Sequence, residues 1–239
     1  MSRIFLVRHA QASFLEPDYD KLSPIGETQA RLLGEYWASR NIAFDRVWSG
    51  PRVRQIDTAK LVANAYRRLR VSFPELVIMQ EFDEYQGEDV LLKSIPELLP
   101  KDAGIRDLHT TFQNAGTPEE KRKSFQRMFE VVVGRWVDGE LPLQNVESWP
   151  QFCSRVNRGL SKLTSGSARG EQVVIFTSGG PIGVAMQRAL NLSPRDTLRI
   201  TWMSRNCSYS EFLSSGEQFT LSTFNAFPHL DDPSLLTYR

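Results

Sequence analysis

Apolar and polar positions alternate in blocks along the first eighty residues. Ile4-Phe5-Leu6-Val7 is an unbroken apolar run, which reads as a strand buried on both faces, and it delivers Arg8-His9 at its carboxyl end. A polar loop follows from Gln11 to Leu22, containing Pro17, Asp18 and Asp20. Ser23-Pro24 then places a hydroxyl and a proline where a helix begins. Ala30, Leu33 and Trp37, with Leu32 and Tyr36 beside them, repeat at helical spacing until Arg40-Asn41 ends the run. Phe44 to Trp48 predicts a second, short strand. Ser49-Gly50-Pro51 breaks it and opens a helix in which Val53, Ile56, Ala59, Leu61 and Ala63 alternate with Arg52, Arg54, Asp57 and Arg67. Pro74 to Met79, centred on Leu76-Val77-Ile78, predicts a third strand. Strand, helix, strand, helix, strand in that order predicts a parallel sheet with right-handed crossovers.

From about Glu88 to Pro150 this rhythm stops and no strong strand is offered. Thr117-Pro118-Glu119-Glu120 is a capping box, and it starts a helix through Phe125, Met128-Phe129, Val132-Val133 and Trp136. The section reads as a helical insertion in a single domain spanning 1–239. It either covers the carboxyl edge of the sheet, where it shapes substrate choice, or forms a layer away from the site. Alternation resumes at Gln151 with a helix from Phe152 to about Thr164. A flexible turn, Ser165 to Gly170, leads to Val173-Val174-Ile175-Phe176-Thr177, the clearest buried strand in the chain. Ser178-Gly179-Gly180-Pro181 ends it, and Ile182 to Leu190 is the next helix. Two glycines between a strand and a helix let the backbone approach a ligand and aim N–H groups at it. Ile200-Thr201-Trp202 predicts a short strand, and Cys207 to Leu213 with Phe219 to Phe224 a hairpin around Ser214-Ser215-Gly216-Glu217.

Composition narrows the chemistry. Apolar residues at 41% and charged residues at 24% are ordinary globular values, and a net charge of +1 creates no field for nucleic acid or an anionic membrane. Any anion site must therefore be local. Cys153 and Cys207 are too few and too far apart for a disulfide framework or a zinc site; each reads as a small buried hydrophobe, and a reducing cytoplasm fits. The short apolar run ending at Arg8 is neither a signal peptide nor a membrane span. No carboxylates or histidines cluster at metal-ligand spacing, so neither a metal nor another cofactor is expected.

Three strand ends deliver polar groups: Arg8-His9 after the first, Ser49 with Arg54 beyond the second, and Ser178-Gly179-Gly180 after the late strand. Glu81 and Glu84 follow the third. If these strands are neighbours, the groups converge on the carboxyl edge of the sheet, where open α/β sheets bind ligands. Two guanidinium forks, an imidazole and a glycine-rich helix start suit a tetrahedral dianion, so the expected partner is a small phosphorylated substrate or phosphate ion.

These residues resemble the signatures of the histidine phosphatase superfamily, also called phosphoglycerate-mutase-like. Leu6-Val7-Arg8-His9-Ala10 is similar to its strand followed by Arg-His-Gly, with alanine for the glycine. Asp20, Leu22, Ser23, Gly26, Gln29 and Ala30 fit its Asp-x-x-Leu-Ser/Thr-x-x-Gly-x-x-Gln-Ala motif, one residue shorter between Asp and Leu. Ser49, Pro51, Arg54, Thr58 and Ala59 match Ser-x-Pro-x-x-Arg-x-x-x-Thr-Ala, and Asn225 with His229-Leu230 resembles the C-terminal Asn-x-x-x-His-Leu. The late Ser-His-Gly-Gly-x-Ile is met by Ser178-Gly179-Gly180-Pro181-Ile182, with serine where the family has its second histidine. The resemblance implies a three-layer α/β/α sandwich with a mostly parallel central sheet.

It also implies a phosphohistidine mechanism without a metal. His9, as neutral imidazole, attacks phosphorus in line while Arg8 and Arg54 neutralise the equatorial oxygens, and water then hydrolyses the phosphoenzyme. The guanidinium groups are expected to lower the His9 pKa. Gly179 and Ser178 add to phosphate binding. The family's acid is a glutamate after the third strand; Glu84 and Glu81 compete, and Glu84 is preferred for the glycine three residues beyond it. Serine at 178 removes one imidazole donor, which implies weak or specialised turnover. His109 reads as a surface residue and His229 as structural. Three functions stay open: a phosphomonoesterase, a catalytically feeble phospho-ligand-binding or interaction protein, and, as the weakest, a mutase.

Overall fold

The computed structural model describes residues 1–13, 20–165, 168–215 and 218–238. Phe14 to Tyr19, the Gly166-Ser167 pair within the expected turn, and Gly216-Glu217 of the expected hairpin lie outside the described residues. The chain divides into two compact units, residues 1–84 with 154–239, and residues 85–153.

The first unit is built on a six-stranded sheet. Its strands are β1 (Ser2–Arg8), β2 (Arg46–Ser49), β3 (Leu76–Ile78), β4 (Gln172–Thr177), β5 (Tyr209–Ser215) and β6 (Gln218–Ala226), in the order β3-β2-β4-β1-β5-β6. β3, β2, β4 and β1 run parallel; β5 and β6 are antiparallel and form the predicted hairpin. Ile4, Leu6, Val7, Val173, Val174, Ile175 and Phe176 are fully buried, which is why these strands read as unbroken apolar runs.

Alternate residues of the strands serve opposite faces. Phe5, Val7, Val174 and Phe176 pack with Leu33 and Trp37 of α1 (Pro24–Ser39) and Val62 and Tyr66 of α2 (Val53–Arg68). Trp37 meets Phe44 and Phe5 edge-on, ring centroids 5.1 and 6.1 Å apart. α1 begins as the sequence predicts: Ser23 caps it by accepting the Gly26 N–H at 3.1 Å, and Pro24 takes the first position. α7 (Gly179–Leu190) packs on β1 and β6, and α8 (Pro194–Met203) packs on α7.

One expectation fails here. Ile200-Thr201-Trp202 is the last turn of α8, not a strand. Ser193 accepts the Asp196 N–H at 3.1 Å and Pro194 sits at the first helical position, so a cap seven residues upstream outweighs the β-propensity of the three residues.

The second unit holds α3 (Gly87–Leu98), α4 (Ala103–Gln113) and α5 (Pro118–Val137); the division falls within α6 (Trp149–Thr164). The capping box at α5 is formed, Thr117 accepting from Glu120 N–H and Glu120 from Thr117 N–H. α5 packs on α3 and α4. Tyr85, Trp136, Trp149 and Phe152 build one aromatic cluster, and Arg135 pairs with Asp102. No helix among the described residues is long and apolar enough to cross a membrane.

Candidate functional site

Sheet register brings three strand ends level. Arg8 of β1 pairs with Thr177 of β4, and Phe176 pairs with Ser49 of β2, so His9, Ser178 and Gly50 are the first residues beyond three adjacent strands. His9 N–H donates to the Thr177 carbonyl at 2.7 Å and Gly50 N–H to the Phe176 carbonyl at 2.9 Å, extending the ladder one step into the site.

His9 is 6% exposed. Its Nδ1 lies 2.8 Å from the Ala10 carbonyl, an acceptor only, so Nδ1 carries the proton. Nε2 then has the lone pair, and it faces the Arg54 Nε–H donor at 3.1 Å. Burial, and then the charges of Arg54 and Arg8, hold the imidazole pKa well below its usual value, against a smaller opposing effect of the Ala10 carbonyl. The ring is a neutral base with a defined tautomer.

Thr58 of α2 fixes the relation of helix to strand end: its hydroxyl accepts the Ala10 N–H at 3.0 Å and donates to the Arg54 carbonyl at 2.6 Å. Arg54, one residue into α2 and 7% exposed, also donates from Nη1 to Asp20 Oδ1 at 2.7 Å. The other Asp20 oxygen accepts the Val53 N–H at 2.9 Å. Asp20 belongs to a motif noted in the sequence, but nothing in its spacing reveals that it holds Arg54.

Arg8 shares the strand end. Its guanidinium donates to the main-chain carbonyls of Ser204 and of Tyr238, the latter at 2.7 Å, which ties the site to the chain's last described residues. Cys207, at φ 59°, donates its N–H to the Arg8 and His9 carbonyls at 3.1 and 3.2 Å, closing the loop around them.

Ser178, fully buried, precedes α7 and receives the Gln55 Nε2–H at 2.7 Å. Glu84 reaches the same helix start, where its Oε2 accepts the Gly180 N–H at 3.1 Å. Glu81 is directed elsewhere: it pairs with Lys162 of α6, which lowers its pKa. Gly179 has a packing reason beyond any ligand, because a Cβ there would meet Thr201 Cγ2 at 3.1 Å and its carbonyl at 3.3 Å. Ser49 turns its hydroxyl to the Gly50 carbonyl at 2.8 Å. Of the remaining histidines, His229 is buried against Tyr36, ring centroids 6.2 Å apart, and His109 is half-buried in α4. Among the described residues no three His, Cys, Asp or Glu side chains gather as a metal site.

The model of the histidine phosphatase superfamily (branch 1) matches residues 4–131 and 91–226. The chain belongs to the histidine phosphatase superfamily. A curated relative is the mitochondrial serine/threonine-protein phosphatase Pgam5 of Caenorhabditis elegans, to which the chain is 26% identical over 125 residues. That match covers 52% of this chain and 44% of the relative, so the chain spans less than half of that protein. Solved structures agree in fold. A phosphoglycerate mutase from Bacillus anthracis superposes with a TM-score of 0.63 at 17% identity, covering 96% of this chain and 95% of that one. A mycobacterial glucosyl-3-phosphoglycerate phosphatase in complex with inorganic phosphate gives 0.63 at 18%, covering 95% and 98%. An alpha-ribazole phosphatase from Shigella flexneri gives 0.60 at 16%, covering 94% and 96%.

Proposed function

We propose that the chain is a phosphomonoesterase that works through a phosphohistidine on His9. The observation that carries this reading is the state of His9: neutral, protonated on Nδ1, with the Nε2 lone pair beside the Arg54 guanidinium. A phosphoryl group bound by Arg54 lies against a ready nucleophile. Nε2 forms the N–P bond as the ester P–O bond breaks, and Glu84 gives the leaving alkoxide its proton. Water then attacks phosphorus, Glu84 takes its proton, and the P–N bond breaks to return neutral His9 and phosphate. Arg54 and Arg8 supply the positive charge that the transferring group requires.

Glu84 is the better acid because its carboxylate reaches the start of α7 beside Ser178, whereas Glu81 is committed to Lys162. Ser178 stands where the family's signature has an imidazole. Losing one charged donor costs about a hundredfold in rate, so turnover is slow for the family. The substrate class is a small phosphorylated molecule, in keeping with the phosphate held by the mycobacterial relative. Ser178 also favours a second reading, a phospho-ligand-binding protein in which the pocket persists and the chemistry is feeble.

Turnover of p-nitrophenyl phosphate and trapping of labelled phosphate on acid-stable or base-stable adducts separate these readings. The esterase yields a base-stable, acid-labile adduct on His9 and loses turnover in His9→Ala. Equal rates in the wild type and His9→Ala would remove His9 as nucleophile. Phosphate affinity without any adduct would establish the binding protein.

A further inference from the structure

Ser178 occupies the N-cap position of α7 yet does not cap it. A serine there ordinarily accepts the N–H of the second or third helical residue. Here the second, Gly180, donates to Glu84, and the third is Pro181, which has no N–H. The hydroxyl is released from its usual work, and the partner it has comes from another helix: Gln55 Nε2 donates to it at 2.7 Å.

Gln55 is fully buried, and its amide has one fitting orientation. Oε1 accepts the Arg52 N–H at 3.1 Å, while Nε2 faces the Phe82 carbonyl at 3.3 Å as well as Ser178. Turning the amide over would set carbonyl against carbonyl and an NH₂ against an N–H. Gly50 makes the room: a Cβ there would meet Gln55 Oε1 at 2.2 Å and the Phe82 carbonyl at 2.4 Å. A hydroxyl that receives a hydrogen bond directs its own proton away from that donor, and among the described residues nothing accepts the Ser178 proton. His9 is the neighbouring residue across the β1–β4 ladder.

We propose that Gln55 is a positioning residue that makes Ser178 a hydrogen-bond donor to the phosphoryl group transferred at His9. This rests on the phosphohistidine reading. By accepting at Oγ from Gln55, Ser178 supplies at the end of β4 one fixed neutral donor, whose value is greatest where charge builds on the phosphoryl oxygens.

The test removes the Ser178 hydroxyl in three backgrounds: wild type, Gln55→Met, and Gln55→Glu. Gln55→Met deletes the incoming donor. Gln55→Glu keeps the shape but offers an acceptor, which turns the hydroxyl toward itself; it also covers the case in which the methionine variant fails to fold. In the wild-type background Ser178→Ala should lower kcat for p-nitrophenyl phosphate about tenfold, the worth of one neutral hydrogen bond, with KM changing less than about twofold. In either Gln55 background it should cost less than about twofold. Comparing Ser178→Ala within each background cancels the charge that Gln55→Glu adds. Affinity for orthovanadate, whose five-coordinate adduct has the transition-state geometry, should follow the same pattern and requires no turnover. An equal cost of Ser178→Ala in all three backgrounds, or no cost in the first, overturns the proposal. His9→Ala is the separate control: retained turnover there overturns the phosphohistidine reading, while the vanadate comparison still decides the role of Gln55.

Discussion

At the scale of the residue, one imidazole and one guanidinium define the site. His9 is kept neutral chiefly by burial and secondly by the positive charge of Arg54 and Arg8. Removing a cation stabilises the imidazolium, so Arg54→Met should raise the His9 pKa, and in the proposed reaction the acid limb of kcat/KM should move to higher pH with it. Following the His9 Cε1–H resonance against pH in both proteins checks the direction; an unchanged or lower midpoint in the variant would show that burial alone sets the state. His9, Arg8, Arg54 and the two glutamates are legible as candidates because each stands at the end of a strand-like apolar run or a few residues beyond one. Asp20 and Gln55 were not assigned roles, since a polar residue in a loop or at a helix start carries no mark of a distant partner. Gln55 meets Ser178 across 123 positions of sequence, and only the folded sheet discloses it.

At the scale of the element, α7 sets where Gly179 and Gly180 stand, and α8 sets where α7 stands. A Cβ at Gly183 of α7 would meet Thr201 Oγ1 at 2.2 Å, and that hydroxyl is held by its bond to the Thr197 carbonyl at 3.0 Å. Gly183→Ala gains up to about 1 kcal/mol of helix propensity. The forced separation of two packed helices outweighs it, so a net loss of about 1–3 kcal/mol is expected in urea denaturation. Thr201→Ala in the same chain should recover most of that loss, because the obstructing oxygen is gone. A Gly183→Ala protein as stable as wild type would mean that α8 gives way freely. The sequence points to a strand at Ile200-Thr201-Trp202 where the structure has a helix, and the cause is physical: Ile, Thr and Trp favour strands locally, while Ser193 and Pro194 fix a helix from outside that window. Ser23-Pro24 and Thr117-Pro118 hold the same cap positions as Ser193-Pro194, but the apolar residues after them keep helical spacing, so those two helices are legible in the sequence.

At the scale of the whole molecule, the parallel order of the first strands was legible from their alternation with helices, but the insertion of β4 between β2 and β1 was not, because strand order is a long-range property. That insertion is what puts Ser178 beside His9. His9 and His229 are both buried, and burial of an imidazole has a pH signature for the entire fold. His229 is pushed by burial down to about 4, and His9 is lowered as well. A histidine whose folded pKa lies below its unfolded value of 6.5 takes up its proton more readily in the unfolded chain, so stability is full above about 6.5 and falls as pH drops toward the folded pKa. At pH 5 the His229 share of that loss is about 2 kcal/mol. Glu81 and Asp102, whose pKa values are lowered by Lys162 and by the Ile105 N–H with Arg135, also lose stabilisation on acidification, but only as pH falls through the carboxylate range. Between pH 6.5 and 5 the two buried histidines therefore weigh more than these two carboxylates. His229→Phe keeps an aromatic ring against Tyr36 and cannot titrate. Its unfolding free energy, measured by denaturant titration at pH 7 and pH 5, should fall by about 2 kcal/mol less than that of the wild type over the same interval. Parallel losses in the two proteins would mean that His229 already carries its proton in the folded chain.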